Sequence, residues 1–405
     1  MKLKIKNFIA QNGERFSQLY DIENIDNGFP MFYPTAYTTR QLRMGIMHST
    51  QKDSLRAIKK LYNWTYKEKL DLYKTFTTRK FLKPHQIASL SQFLSVSDKD
   101  GSAISGLKYN SYIGAVANYI RWYAAEIITD SNAPDISNSI DRMYKAIKAR
   151  RVRKTGSESK RTQSILIKKL STDAERTLLN LFHEPLTGLS QSTQHSPRYR
   201  NVLILQILYA NGMRIGEVLG LRLQDFVSAS GGESAYLIVR RYHDDMKDDR
   251  PNQPVAKTRA RRLPIDQSLE CALSNYLLLR SDVPHVEFSD NAPLLVNHMG
   301  GQRQGKAVSE SSFRSALSVL KKKFPNLGNI HPHLLRHDWN YRFSIKATQR
   351  GMPEIEERAT REYLMGWAEG SESASRYNKR HIQEKAFEIG LDIANNTARK
   401  GEPNE

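Results

Sequence analysis

The chain has 405 residues, enough for two or three domains with ample core, and its 39% hydrophobic content is ordinary for a globular protein and excludes a disordered tail. Against 42 acidic residues stand 62 Lys and Arg, a formal net charge of +20. This excess favours a polyanion, with nucleic acid ahead of a lipid surface because no concentrated amphipathic basic helix is visible, while the single Cys271 excludes an internal disulfide framework or a cysteine-cluster zinc site.

In chain order, the start MKLKIKNF lacks the apolar stretch of a secretory signal, and no later run is long enough to span a bilayer. A cytoplasmic, nucleoid-associated protein without a membrane partner is expected. Residues 1–44 read as an N-terminal arm, in which two apolar runs flank Asn12-Gly13, a pair favoured in tight hairpin turns. From about residue 45 the period becomes helical. Thr50 and Asp53 have capping-box spacing ahead of Leu55, Ile58, Leu61 and Tyr62 on one face, and Pro84 opens a second helix. Tyr109, Ile113, Val116, Ile120, Tyr123 and Ile127 mark a third, and SNSIDRMYKAIKARR gives a fourth. A helical domain is therefore predicted over 45–153, with its aromatic residues in the core because they share the apolar stripe.

Residues 154–169 read as a basic interdomain linker. Arg150, Arg151 and Arg153 just before it and Lys154 at its start can track phosphates while a flexible strap lets two domains close on a duplex; a solvated linker is the plain alternative. The next domain, 170–380, opens with a helix capped by Ser171 or Thr172. A nearly all-apolar helix then breaks at Asn211-Gly212, so Arg214 projects from the start of the following helix with Glu217 one turn on. SAYLIVRRY and RRLPI read as strands flanking a polar excursion, with Lys257 at its returning end. Helices at DQSLECALSNYLLLRS, where Cys271 should be a small buried residue, and at SESSFRSALSVLKKKF precede the stretch from His331 to Tyr377. In the terminal segment 381–405, Ile382, Ala386, Ile389 and Ile393 form an apolar stripe that needs cover from its own chain or from a neighbouring protomer. The histidines lack the spacing and companion carboxylates of a metal centre. The expected class is mainly α with a small antiparallel β-sheet (α+β).

Five elements in one order, Ala210 to Leu221 around Arg214, Lys257 seven residues before Pro264, His333-Leu-Leu-Arg336-His337, Leu364-Met-Gly366-Trp367, and Tyr377, resemble the tyrosine recombinases, the phage-integrase family. The resemblance covers about 170–380, and the preceding helices are similar to that family's SAM-like core-binding domain. It implies a site-specific DNA recombinase or integrase, of the kind carried by mobile genetic elements, that cuts and rejoins duplex DNA through a 3'-phosphotyrosyl intermediate without cofactor, metal or ATP. Tyr377 would be the nucleophile. Arg214 and Arg336 would clamp the non-bridging oxygens, since fixed planar donors stabilise the charge that builds in a pentacoordinate transition state. His333 would add a hydrogen bond or help move a proton, and Trp367, at a position more often histidine, can donate but not accept. Lys257 would protonate the departing 5'-oxygen, and Glu217 would orient Arg336 or His333. Arg259 and Arg261, crowding the same hairpin, are expected DNA contacts.

The partners implied are double-stranded DNA bearing specific sites and a homo-tetramer on two duplexes, built from protomers monomeric or weakly associated without DNA, with accessory DNA-bending proteins an open option. Alternatives with the same chemistry are a type IB topoisomerase or a telomere resolvase; a different class is a DNA-binding relative that has lost catalysis. Two departures from the family pattern stand out. Asp338 follows His337 where a small hydroxyl residue is usual, and the interval from Trp367 to Tyr377 is one residue longer than common.

Overall fold

Strands β1 (Leu3–Ile9) and β2 (Arg15–Asp21) pair antiparallel, with Leu3 opposite Asp21 and Ile9 opposite Arg15, in a computed structural model that describes residues 2–23, 28–152, 170–256, 258–371, 381–382 and 384–393. The turn between them is longer than the two-residue type suggested by Asn12-Gly13. The Ala10 N–H donates to the Glu14 carbonyl at 2.8 Å, and Gly13 takes a φ of 84°. A left-handed glycine as the last residue of a three-residue loop is the next commonest way to close a hairpin. Strand β3 (Phe29–Pro30) adds to the free edge of β2.

This sheet belongs to the first of two compact units, Met1–Gly156 and Ser157–Glu405. Its inward residues Leu3 and Leu19 enter the same core as Leu55, Ile58, Leu61 and Trp64 of the helices that follow. Those helices are α1 (Phe32–Tyr37), α2 (His48–Lys67), α3 (Leu72–Thr77), α4 (Pro84–Leu94), α5 (Gly106–Ile127) and α6 (Pro134–Lys148). Helix α2 begins after Met47, so Thr50 sits inside its first turn and donates its N–H to the Met47 carbonyl at 2.8 Å; it is not the cap. The apolar stripe of α5 is buried as its period requires, and the hydroxyls of Tyr62 and Tyr119 meet at 2.6 Å, which satisfies two groups that burial strips of water.

In the second unit, Ser171 caps α7 (Thr172–His183) by accepting from the Ala174 N–H at 3.2 Å. Helix α8 (His195–Asn211) is buried on every side from Val202 to Leu208 and forms the spine of the core. After the short α9 (Ile215–Leu219) comes an antiparallel sheet in the order β4 (Phe226–Val227), β5 (Tyr236–Val239), β6 (Arg261–Pro264). Then follow α10 (Gln267–Ser281), α11 (Glu310–Lys323), α12 (Pro332–Gln349) and α13 (Glu354–Met365), with α10 and α12 packed along α8. The fold class is thus mainly helical with small antiparallel sheets. Cys271 departs from its expected burial: it lies on the solvent face of α10, out of phase with Leu269, Leu273 and Tyr276, which enter the core.

The polar excursion between β5 and β6 is tied down by a buried arginine. Arg250 pairs with Asp248 at 2.6 Å and donates to the carbonyls of Leu219 at 2.9 Å and Val308 at 2.8 Å. Among the described residues no helix is long and apolar enough to cross a membrane.

Candidate active site

Two helix C-termini prepare the site. Helix α8 ends on Gly212, whose φ of 59° suits a residue without a Cβ, and Trp339 closes over it so tightly that a Cβ there would lie 2.8 Å from Trp339 Cγ. The Trp339 indole N–H fixes this contact by donating to the Ala210 carbonyl at 2.8 Å. Helix α13 ends in the same manner on Gly366, φ 65°, with the Gly366 N–H on the Tyr363 carbonyl at 3.0 Å and the Trp367 N–H on the Glu362 carbonyl at 2.9 Å. Both bonds define a Schellman ending.

Arg336, projecting from α12, joins these two ends. It is 1% exposed, and it donates through Nη1 to the Gly212 carbonyl at 2.7 Å and through Nη2 to the Met365 carbonyl at 3.1 Å. Its guanidinium lies 5.5 Å from the ring centroid of Trp367, itself buried. Carbonyls at helix C-termini carry partial negative charge and otherwise lack partners, so they orient a cation while remaining neutral groups themselves. The result is a rigid planar donor set beside two predicted site positions, Arg214 and Trp367, each two residues along from the carbonyl that Arg336 grips.

Arg214 caps the start of α9, and its own N–H donates to Glu217 Oε2 at 3.0 Å, which turns the Glu217 side chain back toward it. Arg214 Nη1 lies 3.4 Å from Glu217 Oε1, with its side chain 37% exposed, so the guanidinium is anchored on one side and open on the other. Glu217 is buried. Its other bonds run to the returning hairpin: Thr258 Oγ1 donates to Oε1 at 2.6 Å, and Arg261 Nη2 donates to Oε2 at 2.8 Å. Burial alone would push the carboxyl pKa up, but Arg261, Arg336 and Thr258 outweigh it and hold the group below the usual carboxylate range. Glu217 was expected to orient Arg336 or His333; its hydrogen bonds go to Arg214, Thr258 and Arg261, and Arg336 acts on it through space.

Arg261 corrects a second expectation. Proposed from sequence as a DNA contact, its side chain is 1% exposed, because on β6 the inward positions alternate and Arg261 shares the buried face with Leu263 while Arg262 points out. Arg259 is exposed and pairs with Glu369 at 3.0 Å, while its N–H donates to the Gly366 carbonyl at 3.0 Å. Arg150 and Arg151 are exposed at the end of α6. Lys257, Tyr377, Arg153 and Lys154 lie outside the described residues.

His333 sits exposed on the first turn of α12, one turn before Arg336, with its Nε2 3.2 Å from Nε2 of His337. The departure at Asp338 has a structural cause: this buried carboxylate accepts from Arg342 Nε at 2.9 Å, and Arg342 Nη2 reaches the Tyr209 carbonyl at 2.6 Å, pinning α12 to α8. Among the described residues no group of three or more His, Cys, Asp and Glu side chains is placed to hold a metal ion. The Arg214 guanidinium is open on one side and the His333 imidazole is exposed, so both can donate to an anion, while the Arg336 guanidinium is buried against two carbonyls. Sequence reasoning missed the carbonyls of Gly212 and Met365 as partners of Arg336 and the inward face of Arg261; strand alternation backward from Leu263 was the signal for the latter.

A profile described as the phage integrase family matches residues 180–383. The tyrosine recombinase XerC of Roseiflexus castenholzii is 25% identical over 194 residues, 46% of this chain and 54% of that one. XerC of Staphylococcus epidermidis is 23% identical over 163 residues, 38% of this chain and 45% of that one. The chain spans about half the length of the curated relatives it matches. Among solved structures, the Tn1549 transposon integrase in complex with transposon right end DNA is similar with a TM-score of 0.47 at 14% identity, covering 87% of this chain and 98% of that one. The XerH site-specific recombinase bound to palindromic difH substrate gives a TM-score of 0.44 at 20% identity, covering 76% and 72%.

Proposed function

We propose that this chain, which belongs to the phage integrase family, the tyrosine recombinases, is a site-specific DNA recombinase that cuts and rejoins duplex DNA through a 3'-phosphotyrosyl intermediate. The observation that carries the proposal is Arg336, a buried guanidinium oriented by two helix-end carbonyls beside Trp367 and the Arg214 helix. A donor held so firmly needs little reorganisation when charge develops on a phosphate, which is what transition-state stabilisation requires.

In the proposed reaction the Tyr377 phenol oxygen attacks phosphorus and its proton leaves to His333 or water. The P–O5' bond breaks, and Lys257 delivers a proton to the departing oxygen. Arg214, Arg336, His333 and the Trp367 indole donate to the non-bridging oxygens. The bond energy stays in the phosphotyrosyl ester, so rejoining to a new 5'-hydroxyl needs neither ATP nor a metal. The domain 170–380 carries this chemistry, and the helical domain 45–153 grips the duplex with it, with Arg150, Arg151, Arg153, Lys154 and Arg259 on phosphates.

The assembly proposed is a tetramer on two duplexes in the cytoplasm. Residues 384–393 are helical, tied to α12 by Tyr341 donating to Glu384 at 2.5 Å, and His381 lies 2.9 Å from Thr348. Ile382, Phe387, Ile389 and Ile393 are exposed, an apolar series suited to docking on a neighbouring protomer.

The test is a suicide duplex carrying the chain's own site, nicked near the scissile phosphate so that cleavage cannot reverse, in EDTA and without ATP. A denaturation-resistant adduct is expected from the wild type and none from Tyr377→Phe. An adduct that survives the substitution removes Tyr377 as nucleophile, and tight binding without an adduct leaves a catalytically inactive DNA-binding protein as the better account.

A further inference from the structure

We infer that Arg261 is a positioning residue that acts through Lys257, holding the base of the returning hairpin so that the lysine can protonate the leaving oxygen. The inference rests on the proposed transesterification and deepens it. Its basis is where the Arg261 donors go. Nε donates to the Leu364 carbonyl at 2.7 Å, Nη2 to Glu217 at 2.8 Å, and Nη1 to Thr258 Oγ1 at 3.1 Å. One guanidinium therefore binds the last turn of α13, the helix that Arg214 caps, and the residue directly after Lys257.

The surrounding backbone is built for that arrangement. The Arg259 N–H is held by the Gly366 carbonyl at 3.0 Å, and a Cβ on Gly366 would lie 2.6 Å from Arg261 Nη1 and 2.8 Å from Thr258 Cβ. Thr258 is buried, and its hydroxyl serves both Glu217 and Arg261. The chain immediately C-terminal to Lys257 is thus fixed by a side chain, by a backbone bond and by a buried ion pair, all within the next four residues. A lysine has a long flexible stem, and its reach into a cleavage site depends on where its backbone is held. Lysine at position 261 would keep the charge and lose the three-way fork, since an ammonium offers no planar paired donors.

The chemistry of the leaving group separates this role from a general loss of structure. When the bridging 5'-oxygen at the scissile phosphate is replaced by sulfur, the P–S bond breaks and the thiolate departs without needing a proton, because a thiol is a far stronger acid than an alcohol. A defect confined to proton delivery then disappears, while a defect in the nucleophile or in the phosphate clamp persists. The experiment compares wild type, Lys257→Ala, Arg261→Lys and Thr258→Val for the rate of adduct formation on matched oxygen and 5'-bridging sulfur duplexes.

On the oxygen duplex Arg261→Lys should be slower than wild type by about 30-fold or more, a part of the roughly 100- to 10,000-fold that acid–base catalysis contributes. On the sulfur duplex Lys257→Ala should return to within about threefold of wild type, and Arg261→Lys and Thr258→Val should recover most of their deficit, what remains being the loosened Glu217 anchor of Arg214. If Lys257→Ala recovers on sulfur and the other two do not, Arg261 acts elsewhere and the inference is overturned. Failure of Lys257→Ala itself to recover also overturns it. A wild type that forms no adduct on either duplex instead defeats the transesterification reading, an outcome distinct from the other two. Should Arg261→Lys prove unfolded, Thr258→Val carries the same comparison.

Discussion

Trp64, Phe76, Tyr119 and Tyr123 fill the interior of the N-terminal unit, whereas the interior of the C-terminal unit takes in Arg200, Arg250, Arg261, Arg280, Arg336 and Arg361. The aromatic interior closes a bundle of regular helices whose backbone groups bond within themselves. The arginine-laced interior has a different task. Arg200 donates to the Val296 carbonyl at 2.8 Å, Arg280 to the Pro293 carbonyl at 2.9 Å, and Arg250 and Arg336 to two carbonyls each. These carbonyls lie in loops and at helix ends, where no ladder or helical bond is available. A multi-donor side chain brought in from elsewhere satisfies them and fixes irregular backbone, and two of these arginines, 261 and 336, do so beside the candidate site.

The contrast breaks most readily at Arg336. Arg336→Lys retains a cation but not the fork, and single-turnover adduct formation should fall about 100-fold or more, as when one donor to a developing oxyanion is removed. A rate within a few-fold of wild type would mean the fork is structural only. Next in size is Glu217→Gln, which leaves Arg261 without its charge partner inside the protein and should cost about 3 kcal/mol in urea unfolding. The pH dependence has a definite sign. Because the carboxyl pKa is lowered in the folded chain, its contribution is present above the ordinary value of 4.5 and is lost as pH falls through the folded value. The stability gap between wild type and variant should therefore close in acid.

Gly366→Ala and Gly351→Ala sharpen the comparison further. Both glycines have a similar φ, 65° and 62°, but a Cβ at Gly351 meets nothing within 4 Å. The first should cost about 2 kcal/mol and the second about 1 kcal/mol, the difference being the clash with Arg261 and Thr258. Smallest is Tyr119→Phe in the aromatic interior, where loss of one hydroxyl pair should cost about 1 kcal/mol in thermal unfolding and leave DNA cleavage unchanged in rate.

Much of the frame was legible in the residues because it rests on periodicity. The α5 stripe, the Ser171 cap and the break at Gly212 are written in local spacing, and the structure carries each of them. Arg214 and Glu217 could be placed one turn apart in advance, although Glu217 was assigned to Arg336 or His333 and bonds Arg214 instead. What spacing could not supply was the partner from a distant segment. Nothing near Arg336 in the chain points to the carbonyls of Gly212 and Met365, 124 and 29 residues away. Arg261 was misjudged for a related reason: charge density suggested a surface, while the alternation that buries it runs backward from Leu263. Cys271 shows the reverse error, a small residue assigned inward although its turn of α10 faces solvent.

The most direct measurement of the central claim uses a duplex whose scissile phosphate is a methylphosphonate, uncharged at the position where Arg336 is proposed to stabilise charge. Arg336→Met, checked for folding and DNA binding, is compared with wild type on this duplex and on the ordinary one. If the guanidinium stabilises negative charge on the non-bridging oxygens, the deficit of the variant should shrink by about tenfold or more on the methylphosphonate, since its transition state carries one negative charge where that of the ordinary duplex carries two. A deficit of the same size on both duplexes would contradict the account and leave Arg336 a structural bridge between two helix ends.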